Sequence, residues 1–118
     1  MKVIRKGEGS KQDNTANPMV MGGKVVRENL VADSPHINFG VVSFAKGARN
    51  KFHTHTSDQI LFVTSGVGIV ATEKEQVTVR TGDTVWVPAG ERHWHGATPD
   101  SEFAHAVIVT PDSKTQAV

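Results

Sequence analysis

Histidine carries the chemistry in this chain, which has six of them and neither cysteine nor tyrosine. His53 and His55 stand two apart in Lys51-Phe52-His53-Thr54-His55-Thr56, and Gln59 follows four residues after the second. On a strand, side chains two apart share a face, so the two imidazoles point the same way and can grip one ion together. Neutral imidazole is the commonest metal ligand. A lone core histidine is usually structural, but five of the six lie between residues 53 and 105. Burying two of them on one side with no ion would desolvate two polar rings for few partners. His93 follows Pro88-Ala89-Gly90-Glu91-Arg92, His95 shares its parity, and His105 comes ten residues later. Without cysteine there is no thiolate metal site and no cysteine nucleophile; without tyrosine there is no phenolic acid or base. No glycine-rich phosphate loop or serine nucleophile elbow is present, and Asp58 reads as a turn carboxylate on the face opposite Gln59.

Four ligands from separate segments can surround one cavity only if the sheet that carries them curls, as a barrel does. The chain supplies the strands. β-rich runs at 24–31, 37–45, 51–56, 59–64, 67–72, 76–80, 84–87, 92–97 and 103–110 are separated by turn residues such as Asp33-Ser34-Pro35, Ser65-Gly66, Thr81-Gly82-Asp83 and Pro88-Ala89-Gly90. No helical period lasts ten residues, so the reading is all-β, a sandwich or barrel. Residues 1–18 are polar and glycine-bearing and read as an arm, 19–110 as the barrel, and 111–118 as a frayed polar tail. The runs Phe39–Phe44 and Phe103–Val109 are apolar on both faces, which suggests that a second copy covers one side and predicts a homodimer. By alternation His105 shares a face with Phe103, Val107 and Val109. If that face lines the barrel, His105 is a buried proton carrier; if it faces the partner, it is only packed. Trp94 points away from His93 and reads as packing, and His36, beside Pro35, as surface.

A length of 118 residues makes one domain. The formal charge is +1, with 13 basic and 12 acidic residues interspersed. There is no basic stripe to neutralise phosphates, which argues against a nucleic-acid partner. The apolar runs are strand-length and the start carries no signal-peptide core, so the expectation is a cytoplasmic protein with no membrane segment. The partner that the histidines call for is a small-molecule substrate.

Gly47-x5-His53-x-His55-x3-Gln59-x6-Gly66 resembles the first motif of the cupin superfamily, and Gly82-x5-Pro88-x-Gly90-x2-His93 resembles the second. The resemblance implies a single conserved β-barrel of jelly-roll type, often dimeric, in which His53, His55, residue 59 and His93 bind one divalent transition metal. Two positions depart from the common pattern: Gln59 stands where glutamate is usual, and Ala97 where asparagine is. A neutral ligand set leaves the ion's charge nearly intact. That favours Lewis-acid and acid–base chemistry over oxygen activation. The stretch from Pro88 through His95, with His105 ten residues on, is similar to the small cupins that include the bacterial hydroxynitrile lyases, and to cupin modules associated with carboxymuconolactone decarboxylases. The lyases typically use manganese, and the resemblance makes His105 the general base; by its parity with His93, His95 reads as a pocket residue or a support of His93. Val109 stands where those lyases carry a polar glutamine. The donor set also suits iron, nickel, cobalt, zinc or copper. The alternatives to a lyase are an iron or manganese dioxygenase and a non-catalytic module that binds a small molecule or a metal.

Overall fold

The computed structural model describes residues 1–118. The chain forms twelve strands and no helix. They are β1 (Ser10–Asp13), β2 (Val20–Met21), β3 (Val25–Val31), β4 (Asn38–Phe44), β5 (Arg49–Asn50), β6 (His53–His55), β7 (Gln59–Thr72), β8 (Gln76–Arg80), β9 (Thr84–Val87), β10 (His93–Ala97), β11 (Phe103–Val109) and β12 (Thr115–Ala117). All pairings are antiparallel. One layer runs β1-β3-β4-β11-β7-β9. The other runs β8-β7-β10, and beyond β10 come β5 and β6, which pair with opposite ends of it and carry β2 and β12. This is the curled all-β architecture expected of a cupin barrel.

Strand β7 belongs to both layers. Its first half pairs with β9 and β11 and its second half with β8 and β10. The sequence reads two strands here, broken at Ser65-Gly66; the structure has one strand of 14 residues with a bulge. Ala104 faces Ser65 while His105 faces Val63, which leaves Thr64 as the extra residue. A bulge shifts the side-chain alternation by one. Alternating burial accordingly marks Gln59, Leu61 and Val63 before it and Gly68 and Val70 after it, with Ala71 buried as well. Gly66, at φ +75°, gives the bend the left-handed backbone it needs, and a Cβ there would run into the Glu102 carbonyl.

The apolar core lies between the layers, with Val25, Phe44, Leu61, Val63, Val70, Val79, Phe103 and Val107 among its members. Two polar segments are more ordered than their composition suggests. Residues 10–13, read as part of an arm, run antiparallel to Val26–Asn29 of β3. Residues 115–117, read as a frayed tail, pair with all three residues of β6. In both cases backbone pairing to an otherwise unpartnered edge supplies what the side chains do not, and sequence patterning does not register it.

Candidate metal centre and pocket

The β6/β10 register sets His53 directly opposite His93, and alternation along β6 brings His55 to the same side. The ring centroids are 4.3 Å apart for His53 and His93, 4.7 Å for His53 and His55, and 5.3 Å for His55 and His93. One ring nitrogen of each lies within 4.8 Å of the others. The backs of the rings are tied. His53 Nδ1–H donates to the Lys51 carbonyl at 2.7 Å, and His93 Nδ1–H to the Glu91 carbonyl at 2.9 Å. A carbonyl oxygen can only accept, so each of these Nε2 atoms keeps its lone pair. His55 Nδ1 sits 2.9 Å from Thr115 Oγ1, and its Nε2 is buried with no hydrogen-bond partner. Gln59 Oε1 stands 3.2 Å from His93 Nε2. With Nδ1 protonated, that contact sets one lone pair against another; a cation between them satisfies both, as does reversal of the amide. Three converging imidazole lone pairs, one of them orphaned, fit a divalent transition ion.

Burial keeps the rings neutral and ready to coordinate. It pushes the pKa of His53 and of His55 down to about 4, helped by the charges of the neighbouring histidines. His93 is lowered for the same first reason.

A second histidine pair lies deeper. His105, wholly buried, turns Nδ1–H to the Ala106 carbonyl at 3.2 Å. Its Nε2 therefore accepts, and the partner is His95 Nδ1 at 3.2 Å. His95 lies well below its usual pKa through burial and then through the charge of His105, while burial takes His105 down to about 4. Asn50 holds His95 from β5: its Oδ1 accepts the His95 backbone N–H at 2.9 Å, and its Nδ2 lies 3.3 Å from His95 Nε2. The His95 ring stands 5.7 Å from that of His53 and 5.8 Å from that of His93. His95 thus sits between His105 and the three-histidine group. Phe44 packs on both deep rings, with centroids 5.8 and 5.7 Å away.

A cavity of about 380 Å³ opens onto these groups, with His53, His55, Gln59, His95 and His105 all in its wall. The structure thus brings every candidate site residue into one place and puts His105 on the barrel side. Trp94 points away and is nearly buried under Arg49, whose guanidinium carbon is 3.6 Å from the ring centroid. Asp58 braces a turn, accepting from Trp86 Nε1 at 3.0 Å and the Ala89 amide at 2.9 Å, and His36 is exposed. Among the further wall residues that escape sequence reasoning are Arg27, Asn50 and Thr115. Only Arg27 leaves a trace, as a charged residue on the same parity as Val25 and Val31 of β3.

Residues 40–110 match the model of the cupin domain. The chain is 44% identical over 68 residues to an (R)-mandelonitrile lyase of Granulicella tundricola, covering 57% of this chain and 52% of that one. An acireductone dioxygenase of Parasynechococcus marenigrum is 37% identical over 62 residues, or 47% of this chain and 33% of that one. The chain therefore spans between a third and about half of the length of these curated relatives. Among solved structures, a cupin-like protein of Thermotoga maritima superposes with a TM-score of 0.82 at 28% identity, covering 100% of this chain and 89% of that one. A polyketide cyclase of Streptomyces resistomycificus reaches 0.87 at 14% identity over 100% and 85%, a likeness of fold alone. The motifs, the curled double-layered sheet and the matched span together place this chain in the cupin domain family.

Proposed function

We propose that this cavity is the active site of a small metal-dependent enzyme acting on a hydroxy or carbonyl compound, with cleavage of a cyanohydrin to an aldehyde and cyanide as the nearest activity. His53, His55 and His93, with Gln59 as fourth donor, would hold one divalent transition ion, manganese foremost. Once bound, it would supply a Lewis acid for a substrate oxygen. The observation that carries this reading is the convergence of three imidazole nitrogens whose other nitrogens are all tied back, one of them buried without a partner. The protein's own groups handle the proton. His95 and His105 are both neutral at pH 7 and share one hydrogen bond. A hydroxyl proton accepted by His95 lets its Nδ1 proton pass to His105, so His105 is the end of the base pair. Similarity to the mandelonitrile lyase supports the reading over a little more than half of the chain.

Similarity to acireductone dioxygenases keeps one alternative, a cupin dioxygenase. The neutral Gln59 weighs against it, because no carboxylate is present to stabilise a more oxidised ion. Two measurements decide. Protein purified without added metal should carry close to one equivalent of a transition ion and His53→Ala far less; equal content in the two overturns the ligand assignment. Turnover of a cyanohydrin with no oxygen uptake supports the lyase, and stoichiometric uptake supports the dioxygenase.

We also infer a homodimer. The outer face of the first layer presents Ile37, Phe62, Trp86 and Ile108, each between 40% and 63% exposed. The register joins most of them, with Ile60 opposite both Trp86 and Ile108. An apolar strip of this kind is costly to leave in water.

A further inference from the structure

The wall of the cavity holds sixteen residues, and only one of them carries a formal charge: Arg27. No aspartate or glutamate lines it. Arg27 lies on β3 opposite Val42 and is half-buried. Its Nε donates to Asn29 Oδ1 at 2.8 Å and its Nη2 to Asn38 Oδ1 at 2.9 Å. Both partners are neutral amides that orient the guanidinium without neutralising it. No carboxylate pairs with it, since the ion pairs of this structure are Lys2–Asp33 and Arg92–Glu73. Three of its five N–H groups, both on Nη1 and one on Nη2, make no hydrogen bond within the protein. Gly40 provides the space: a Cβ there would lie 3.1 Å from Nη2 and 3.3 Å from Cζ. A cation drawn out of water with no counter-charge is unfavourable unless a ligand supplies one. A planar fork of free N–H groups matches a carboxylate, two hydrogen bonds at a time.

We propose that Arg27 is the carboxylate-recognition point of this cavity, and that its ligand is a small organic acid whose hydroxyl or carbonyl oxygen reaches the three-histidine group. The inference rests on the hydroxy-or-carbonyl reading and narrows it to acids, which a simple cyanohydrin is not; its Arg27 half stands without the metal. Six wall residues are apolar, Met19, Val20, Val25, Val42, Phe44 and Val107, and give a hydrocarbon body surface to pack on beside the amides of Asn14 and Asn17. A phosphate would draw on the same fork, and the test separates the two.

The probes are 2-hydroxy-2-phenylacetate, its uncharged amide and inorganic phosphate. Each is titrated calorimetrically into wild-type protein, metal-loaded and metal-stripped, and into Arg27→Gln and Arg27→Lys. The wild type should bind the acid at least tenfold more tightly than the amide and more tightly than phosphate. Arg27→Gln should reduce the acid-to-amide ratio to within about threefold and leave metal content unchanged, with Arg27→Lys intermediate. An equal affinity of the wild type for acid and amide, no binding of the acid, tighter binding of phosphate, or a preference that survives in Arg27→Gln overturns the proposal. The wild-type arm requires no variant to fold. Stripped protein that never takes up metal yet keeps the Arg27-dependent preference sinks the metal reading alone. Metal-loaded protein without the preference sinks this one alone.

Discussion

His105 is held uncharged by its burial. Its pKa falls to about 4 through burial first, whereas an unfolded chain holds it near 6.5. Between those values the unfolded state binds a proton that the native state refuses, so stability falls as pH drops from 6.5 toward 4. Removing that titration by His105→Gln should flatten the slope of stability against pH in this window by up to one proton, about 1.4 kcal/mol per pH unit. Urea midpoints at pH 7, 5.5 and 4.5 measure it, and equal slopes in the two proteins would show that His105 titrates alike in both states. At this scale the sequence was informative where residue type and parity sufficed. His53, His55 and His93 came from spacing, and Gln59 came with them. Asn50 and Thr115 did not, because an asparagine or threonine on a short strand looks the same whether or not a histidine ring lies beside it. Only the β5/β10 and β6/β12 pairings reveal what they hold.

Thr115 shows what an element contributes beyond its own side chains. It reaches His55 because β12 lies antiparallel to β6 with Thr115 opposite His55, and Lys114 and Thr56 lock that pairing through Lys114 N–H to Thr56 Oγ1 at 2.9 Å. Groups behind a metal-ligating imidazole typically change affinity by about 10–100-fold. Thr115→Val, which keeps the shape and loses the hydroxyl, should weaken metal binding by that order, and Thr115→Ser should restore it. Chelator competition measures both, and a Val variant that binds as the wild type does would show that the contact is incidental. Strand β7 teaches the complementary lesson. A break at Ser65-Gly66 was legible, but its meaning was not. A turn and a bulge use the same residues, and only the register of Ala104 and His105 shows that Thr64 is the extra residue. Gly68 follows from it: a Cβ there would lie 2.5 Å from the Phe103 ring. Gly68→Ala should therefore cost about 1–3 kcal/mol of stability as overpacking, read from the denaturation midpoint.

For the molecule as a whole, the all-β class was legible because the longer strands β3, β4, β7, β8, β9 and β11 are runs rich in β-branched and aromatic residues between turn signals. The pairing of the two polar ends was not, since it rests on backbone groups that all residues share. Of the doubly apolar runs that suggested a partner, β11 contributes Ile108 to the exposed apolar face, whose other members are Phe62 of β7, Trp86 of β9 and Ile37 just before β4. Phe62→Glu together with Ile108→Glu should convert a dimer to a monomer in sedimentation velocity while leaving metal content unchanged; a monomeric wild type would remove the dimer from the picture. The double membership of β7 has a further consequence, in time. The layers cannot part without breaking β7, so its amides open only with global unfolding, whereas β12 hangs from β6 by three residues whose side chains are exposed. Hydrogen exchange should be slowest at Leu61 and Val63 and orders of magnitude faster at Gln116 and Ala117. Gln59 therefore belongs to the slowest-opening segment and Thr115 to the first to lift. An incoming ion would then find Gln59 and His93 held on the inner strands β7 and β10, and His53 and His55 on β6, the strand that β12 uncovers as it lifts.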